Sequence, residues 1–168
     1  RARSQADAEV VDRVVDLAAG PGIDDIAELW ADAGAHSLAG QLWRIYLLRR
    51  AVDEDPEGTA ELFRFGRAAA VTIDPVVAGV AEPVSPDTIT GMCGRSLRGV
   101  FAGDVAIALE RAASYCRVMS LGAASLADDR DFHDDEHAGA LTGRSLRYAK
   151  FAEDLKAGAH RWRAGTLD

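Results

Sequence analysis

The sequence predicts an all-α fold, a single-domain bundle of six or seven helices. Apolar residues recur at spacings of three and four over most of the chain, the period of a helix with one buried stripe. Strand-type alternation is nearly absent. Helix-start signals such as Asp55-Pro56 and Ser85-Pro86-Asp87 introduce the periodic stretches. The chain has 168 residues, 48% hydrophobic and 27% charged, which is enough to bury one sizeable core. One domain over 1–168 is expected, with 72–84 as the place where two sub-bundles would part.

The elements follow in order. A first helix is expected from about Ser4 to Ala19, where Val10, Val14 and Leu17 form a stripe and Asp12, Arg13 and Asp16 face away. Gly20-Pro21-Gly22 ends it. Asp24 or Asp25 then caps a short helix carrying Ile26, Leu29 and Trp30, which stops near Gly34. Ser37 caps a strongly apolar helix over 38–52, with Leu38, Leu42, Ile45, Leu48 and Val52 in register. Asp55 as cap and Pro56 in the first turn open the next helix, which carries Leu62, Phe63, Phe65 and Ala69. Residues 72–84 hold two prolines and a glycine and read as a long connection. Ser85-Pro86-Asp87 starts a helix through Ile89, Met92, Ser96 and Val100. The clearest helix follows, with Val105, Leu109, Ala112, Cys116, Met119, Ala123 and Leu126 on an unbroken stripe. A last helix repeats the spacing with Leu141, Ser145, Tyr148, Ala152, Leu155, Ala159 and Trp162. The helices over 38–52 and 105–126 are expected at the centre, with the last packed on both.

Net charge is −8, which argues against a nucleic-acid surface, since phosphate binding needs a clustered positive field. The charge is unevenly placed: residues 140–168 carry six basic and three acidic residues, a local +3 on an otherwise acidic chain. No apolar run approaches the roughly 20 residues of a membrane-spanning helix, and no signal-peptide pattern appears. Arg1 rather than Met opens the chain, which leaves room for a segment before it. Cys93 and Cys116 sit in apolar helical patterns and are expected to be buried, reduced thiols. A cytoplasmic location is expected.

The stretch with most chemical potential is Asp131 to Gly139, DFHDDEHAG. His133-Asp134-Asp135-Glu136-His137 fits the string H-x-x-E-H of zinc inverzincins. That chemistry needs both histidines on one helical face, Glu136 as general base and a further ligand. His133, Glu136 and His137 are therefore the candidate metal residues. The simpler reading makes Asp134 or Asp135 an N-cap, with the acids complementing the helix dipole. Arg144, Arg147, Lys150, Lys156, Arg161 and Arg163 form a basic face on the last helix, suited to an anionic partner, to a membrane surface or, more simply, to solvent with local ion pairs. His36-Ser37 looks like a nucleophile pair only superficially, because Ser37 is needed as a cap. Trp30, Trp43 and Trp162 could border a pocket or pack in a core. Phosphate-binding, dinucleotide-binding, C-x-x-C and G-x-S-x-G patterns are absent, as is the paired Glu-x-x-His pattern of ferritin-type proteins.

The favoured expectation is a non-enzymatic helical interaction or regulatory module, with no catalytic residue and no cofactor. Its partner would be another protein or a second copy, as in a homodimer, with neither nucleic acid nor a membrane span. The alternatives are a metal-dependent hydrolase using the HDDEH stretch, and a small-ligand-binding helical domain with Trp and Tyr at a pocket. An exposed apolar patch, three converging ligands or an apolar cavity respectively would tell them apart.

Overall fold

A computed structural model describes residues 28–73, 85–87, 89–91, 105–130 and 135–168. They form an all-α bundle with four long helices: α1 (Leu38–Glu54), α2 (Pro56–Ile73), α3 (Val105–Arg130) and α4 (Asp135–Arg163). Short helical pieces occur at 28–30 and around Ile89, and no strand occurs among the described residues. The expected helix over 4–19, most of 72–84 and Cys93 lie outside those residues.

At Ser37 and Asp55 local chemistry sets the helix ends as the sequence predicts. Ser37 is extended, and its hydroxyl accepts the Gly40 N–H at 3.1 Å, satisfying one orphan donor of α1. Asp55 serves two helices at once. Its own N–H donates to the Ala51 carbonyl at 3.3 Å and closes α1, while its Oδ1 accepts the Gly58 N–H at 2.9 Å and opens α2. Thr59, fully buried at this corner, returns its hydroxyl to the same Ala51 carbonyl at 3.3 Å. Helix α2 then runs to Ile73, two residues into the stretch expected as a connection. At the other end of the chain, Thr166 N–H bonds to Arg161 O and Gly165 N–H to Trp162 O, with Gly165 at φ 67°. This is a Schellman C-cap, and only glycine adopts that φ without strain.

Helix α3 is the centre. Its predicted stripe is wholly buried: Leu109, Ala112, Cys116, Met119 and Ala123 are at most 1% exposed. The buried arc extends to Ala113, Tyr115 and Val118 because α3 is covered on two sides, by α2 and by α4. Antiparallel helix α2 meets α3 backbone to backbone at Gly66 and Gly122. A Cβ on Gly122 would stand 1.8 Å from the Leu62 carbonyl oxygen, and one on Gly66 would stand 1.9 Å from that of Val118. Helix α4 packs antiparallel on the other side. The two serines Ser120 and Ser145 each donate to the other's carbonyl, at 3.0 and 2.9 Å, so two small residues satisfy each other across the seam. Ile89, fully buried, brings the 85–91 segment into the same core.

Three expectations are corrected. Helix α1 does not share the centre with α3; it comes closest to α4 and α2, antiparallel to α4. Trp162, the last residue of the α4 stripe, is 38% exposed. Arg163 is already level with Glu110, near the start of α3, so little described protein remains at that end to cover the indole. Leu29 also departs from its expected stripe and is exposed, whereas Trp30 packs against the core.

Candidate functional site

The expected metal stretch comes first. Glu136 and His137 stand exposed on the first turn of α4, and His133 lies outside the described residues. No three His, Cys, Asp or Glu side chains converge among the described residues. His36 is no ligand for His137: it lies at the opposite end of α4, beyond Asp154, 17 residues or roughly 25 Å along the helix. Glu110 is held by Arg163 at 2.5 Å in a two-pronged ion pair, which keeps its carboxyl below the usual range. Ser37 is committed to its cap and to the Gly34 carbonyl, so the His36-Ser37 pair is not a nucleophile.

The structure draws attention instead to the seam between α1 and α4. At one end it is tight. Gln41 is fully buried, and its amide nitrogen donates to the carbonyls of Ala35 (2.5 Å) and Asp154 (3.0 Å). Gly158 leaves the space this needs, since a Cβ there would come 2.4 Å from the Gln41 side chain. Beside it, Asp154 gathers two cations. Arg44 gives it two bonds, from Nε at 3.0 Å and a terminal nitrogen at 2.8 Å. Lys150 gives it a third at 2.9 Å. Burial alone would raise the Asp154 carboxyl, but the hydrogen bonds and charges of Lys150 and Arg44 outweigh it, and the carboxyl titrates below its usual range. The Arg44 guanidinium also lies over the Phe151 ring, 5.7 Å from its centroid.

Beyond this network, towards the C-terminal half of α1, the two helices enclose a groove of about 240 Å³. Leu47, Leu48 and Ala51 line it from α1, and Arg144, Arg147, Tyr148 and Phe151 from α4. Its residues come from two patterns that the sequence shows separately: the apolar stripes, and the basic face of the last helix. Arg144 and Arg147 form no ion pair among the described residues, whereas Lys150 and Arg163 on the same helix do. Burial pushes the Tyr148 phenol up, against the charge and hydrogen bond of Arg144 and the charge of Arg147. None of the three tryptophans lines the groove: Trp43 is half-buried and stacked on Tyr46 at 5.4 Å, Trp30 packs on the core, and Trp162 is exposed. The crossing of α1 with α4 makes the groove, and no local spacing in the sequence signals it.

Comparison with protein-family models, curated proteins and solved structures gives no match.

Proposed function

We propose that the chain is a non-enzymatic helical module that works by binding a ligand in the α1–α4 groove. One observation carries this reading: two arginines that have no carboxylate partner among the described residues stand at an apolar groove, on a chain of net charge −8. In an acidic protein, surface arginines readily find carboxylates, and an apolar groove left open costs hydrophobic free energy. Both features fit a surface kept for something else. At about 240 Å³ the groove lies just below the usual range for small-molecule sites.

The test is a backbone-amide NMR screen of the chain against a mixed panel of small organic acids, bases and neutral compounds. Hits are expected to shift residues 44–51 and 144–151 together, and to be lost in Ala51→Phe, which fills the groove. Hits clustering elsewhere would refute the groove. Turnover of an ester or phosphoester panel, abolished by His137→Ala, would replace the binding reading with the hydrolase reading.

A further inference from the structure

We infer that the groove between α1 and α4 takes a small amphipathic carboxylate, such as a medium-chain fatty acid. The inference rests on the reading of the groove as the working surface and adds the chemistry of its occupant.

The lining is divided along its length. On α4 it runs from Arg144 to Phe151, seven residues or about 10 Å of helix. Helix α1 is antiparallel, so small Ala51 stands towards the arginine end and Leu47 towards the Phe151 end. A ligand matching this pattern has an anionic head at one end and an apolar tail of similar length. Two guanidiniums one turn apart offer the planar donors that suit a carboxylate. The opposite end offers Leu47, Leu48 and the Phe151 ring, which a bare inorganic anion would leave unused. Arg44 and Lys150 are no rivals for the head group, because Asp154 already holds both. The groove's size also separates a small molecule from a protein partner. The large apolar residues that the described surface exposes, Leu29, Ile107, Leu146 and Trp162, do not line it, so among the described residues none of them extends the groove into a larger apolar patch.

The experiment titrates the full chain at neutral pH and constant ionic strength with three probes: sodium octanoate below its micellar concentration, octanol, and sodium sulfate. Amide shifts report the site and affinity. Octanoate is expected to saturate with shifts on both helices, octanol to bind roughly tenfold more weakly, and sulfate to show no saturable site. In Arg144→Gln/Arg147→Gln, octanoate should fall to the level of octanol, with octanol unchanged. A thermal melt of that variant and of the milder Arg147→Lys separates lost affinity from lost folding. Octanol binding as tightly as octanoate would overturn the carboxylate and leave the groove reading intact. Sulfate binding as tightly would also overturn it, in favour of a bare-anion site. No groove shift with any probe would overturn it as well, while the groove reading falls only if the wider panel also misses the groove.

Discussion

Replacing Gly122 by alanine should separate α2 from α3. The added Cβ would sit 1.8 Å from the Leu62 carbonyl oxygen, 2.8 Å from its carbon and 2.9 Å from the Gly66 nitrogen. All three are backbone atoms, so no side chain can swing aside. Ordinary contact begins near 3.4 Å, so α2 must withdraw by about 1.6 Å at the crossing. Gaps of ~0.5–1 Å already forfeit a quarter to a half of a dispersion contact. The loss therefore reaches Leu62, Phe63 and Ala70, which are all buried. Overpacking of this kind costs about 1–3 kcal/mol or more, and the backbone clash puts it at the upper end. Alanine's better helix propensity returns about 1 kcal/mol. The net expectation is a loss of about 2–3 kcal/mol, or a Tm lower by roughly 5–10 °C for a chain of this size. Gly139→Ala is the matched control. It also sits in a helix, but an added Cβ meets nothing within 4 Å, so the propensity gain should appear as a small stabilisation. Gly66→Ala should behave like Gly122→Ala, and the double variant should lose less than the sum, because one withdrawal relieves both clashes. Urea unfolding followed by helical circular dichroism reads all four. A Gly122→Ala protein as stable as its parent would mean that the two helices do not meet at this pair of glycines.

Leu109→Ala, on the fully buried α3 stripe, should cost on the order of 3 kcal/mol in the same assay, and a loss below about 1 kcal/mol would place that side chain outside the core. Asp154→Asn should destabilise at neutral pH by about 2 kcal/mol, since two cations lose their shared carboxylate. The folded carboxyl titrates below its unfolded value of about 3.9, so its contribution is fully present above that pH and fades as pH falls through the folded value. The gap between parent and Asp154→Asn stability curves should therefore narrow below about pH 4, and a gap that stays constant would refute the assignment. Protein purified without a histidine tag should carry far less than one zinc per chain by elemental analysis, because acidic oxygens favour hard cations held loosely. His133→Ala/His137→Ala should change stability by less than about 1 kcal/mol, and stoichiometric zinc lost in that variant would restore the hydrolase.

What could be read from the sequence was whatever depends on near neighbours in the chain. Ser37 and Asp55 cap helices because their side chains reach N–H groups three residues on. The α3 stripe is visible because a helix surrounded on two sides needs apolar residues at helical spacing and tolerates few others. What could not be read depends on how the helices cross. Gly66 and Gly122 are two unremarked glycines until α2 and α3 meet there, 56 positions apart. Lys150 and Asp154 are visible as an i,i+4 pair, but Arg44, which lies 110 residues from Asp154, is not. Trp162 shows the same limit from the other side, since a regular stripe says which face is apolar but not where the neighbouring helix stops.

The segregated charge of the chain has its structural counterpart at the groove. Residues 140–168 carry six cations against three anions, and those anions are spent in ways that leave the Arg144–Arg147 stretch of α4 without one. Asp154 faces the seam, where it is occupied by Arg44 from α1 and Lys150 from α4. Glu153 is exposed, and Asp168 lies beyond the end of the helix, its backbone bonded to His36 and Leu38. Arg163 draws its partner, Glu110, from α3. No acid of the segment is left for Arg144 and Arg147, and the α1 residues opposite them, Leu47, Leu48 and Ala51, are apolar. Arg49 and Arg50, on the same helix, are instead paired with Asp53 and Glu54. Among the described residues, the lack of a carboxylate at Arg144 and Arg147 thus follows from where the carboxylates are used. Arg147 is exposed, so added salt should weaken anion attraction there as it weakens exposed pairs such as Arg50–Glu54.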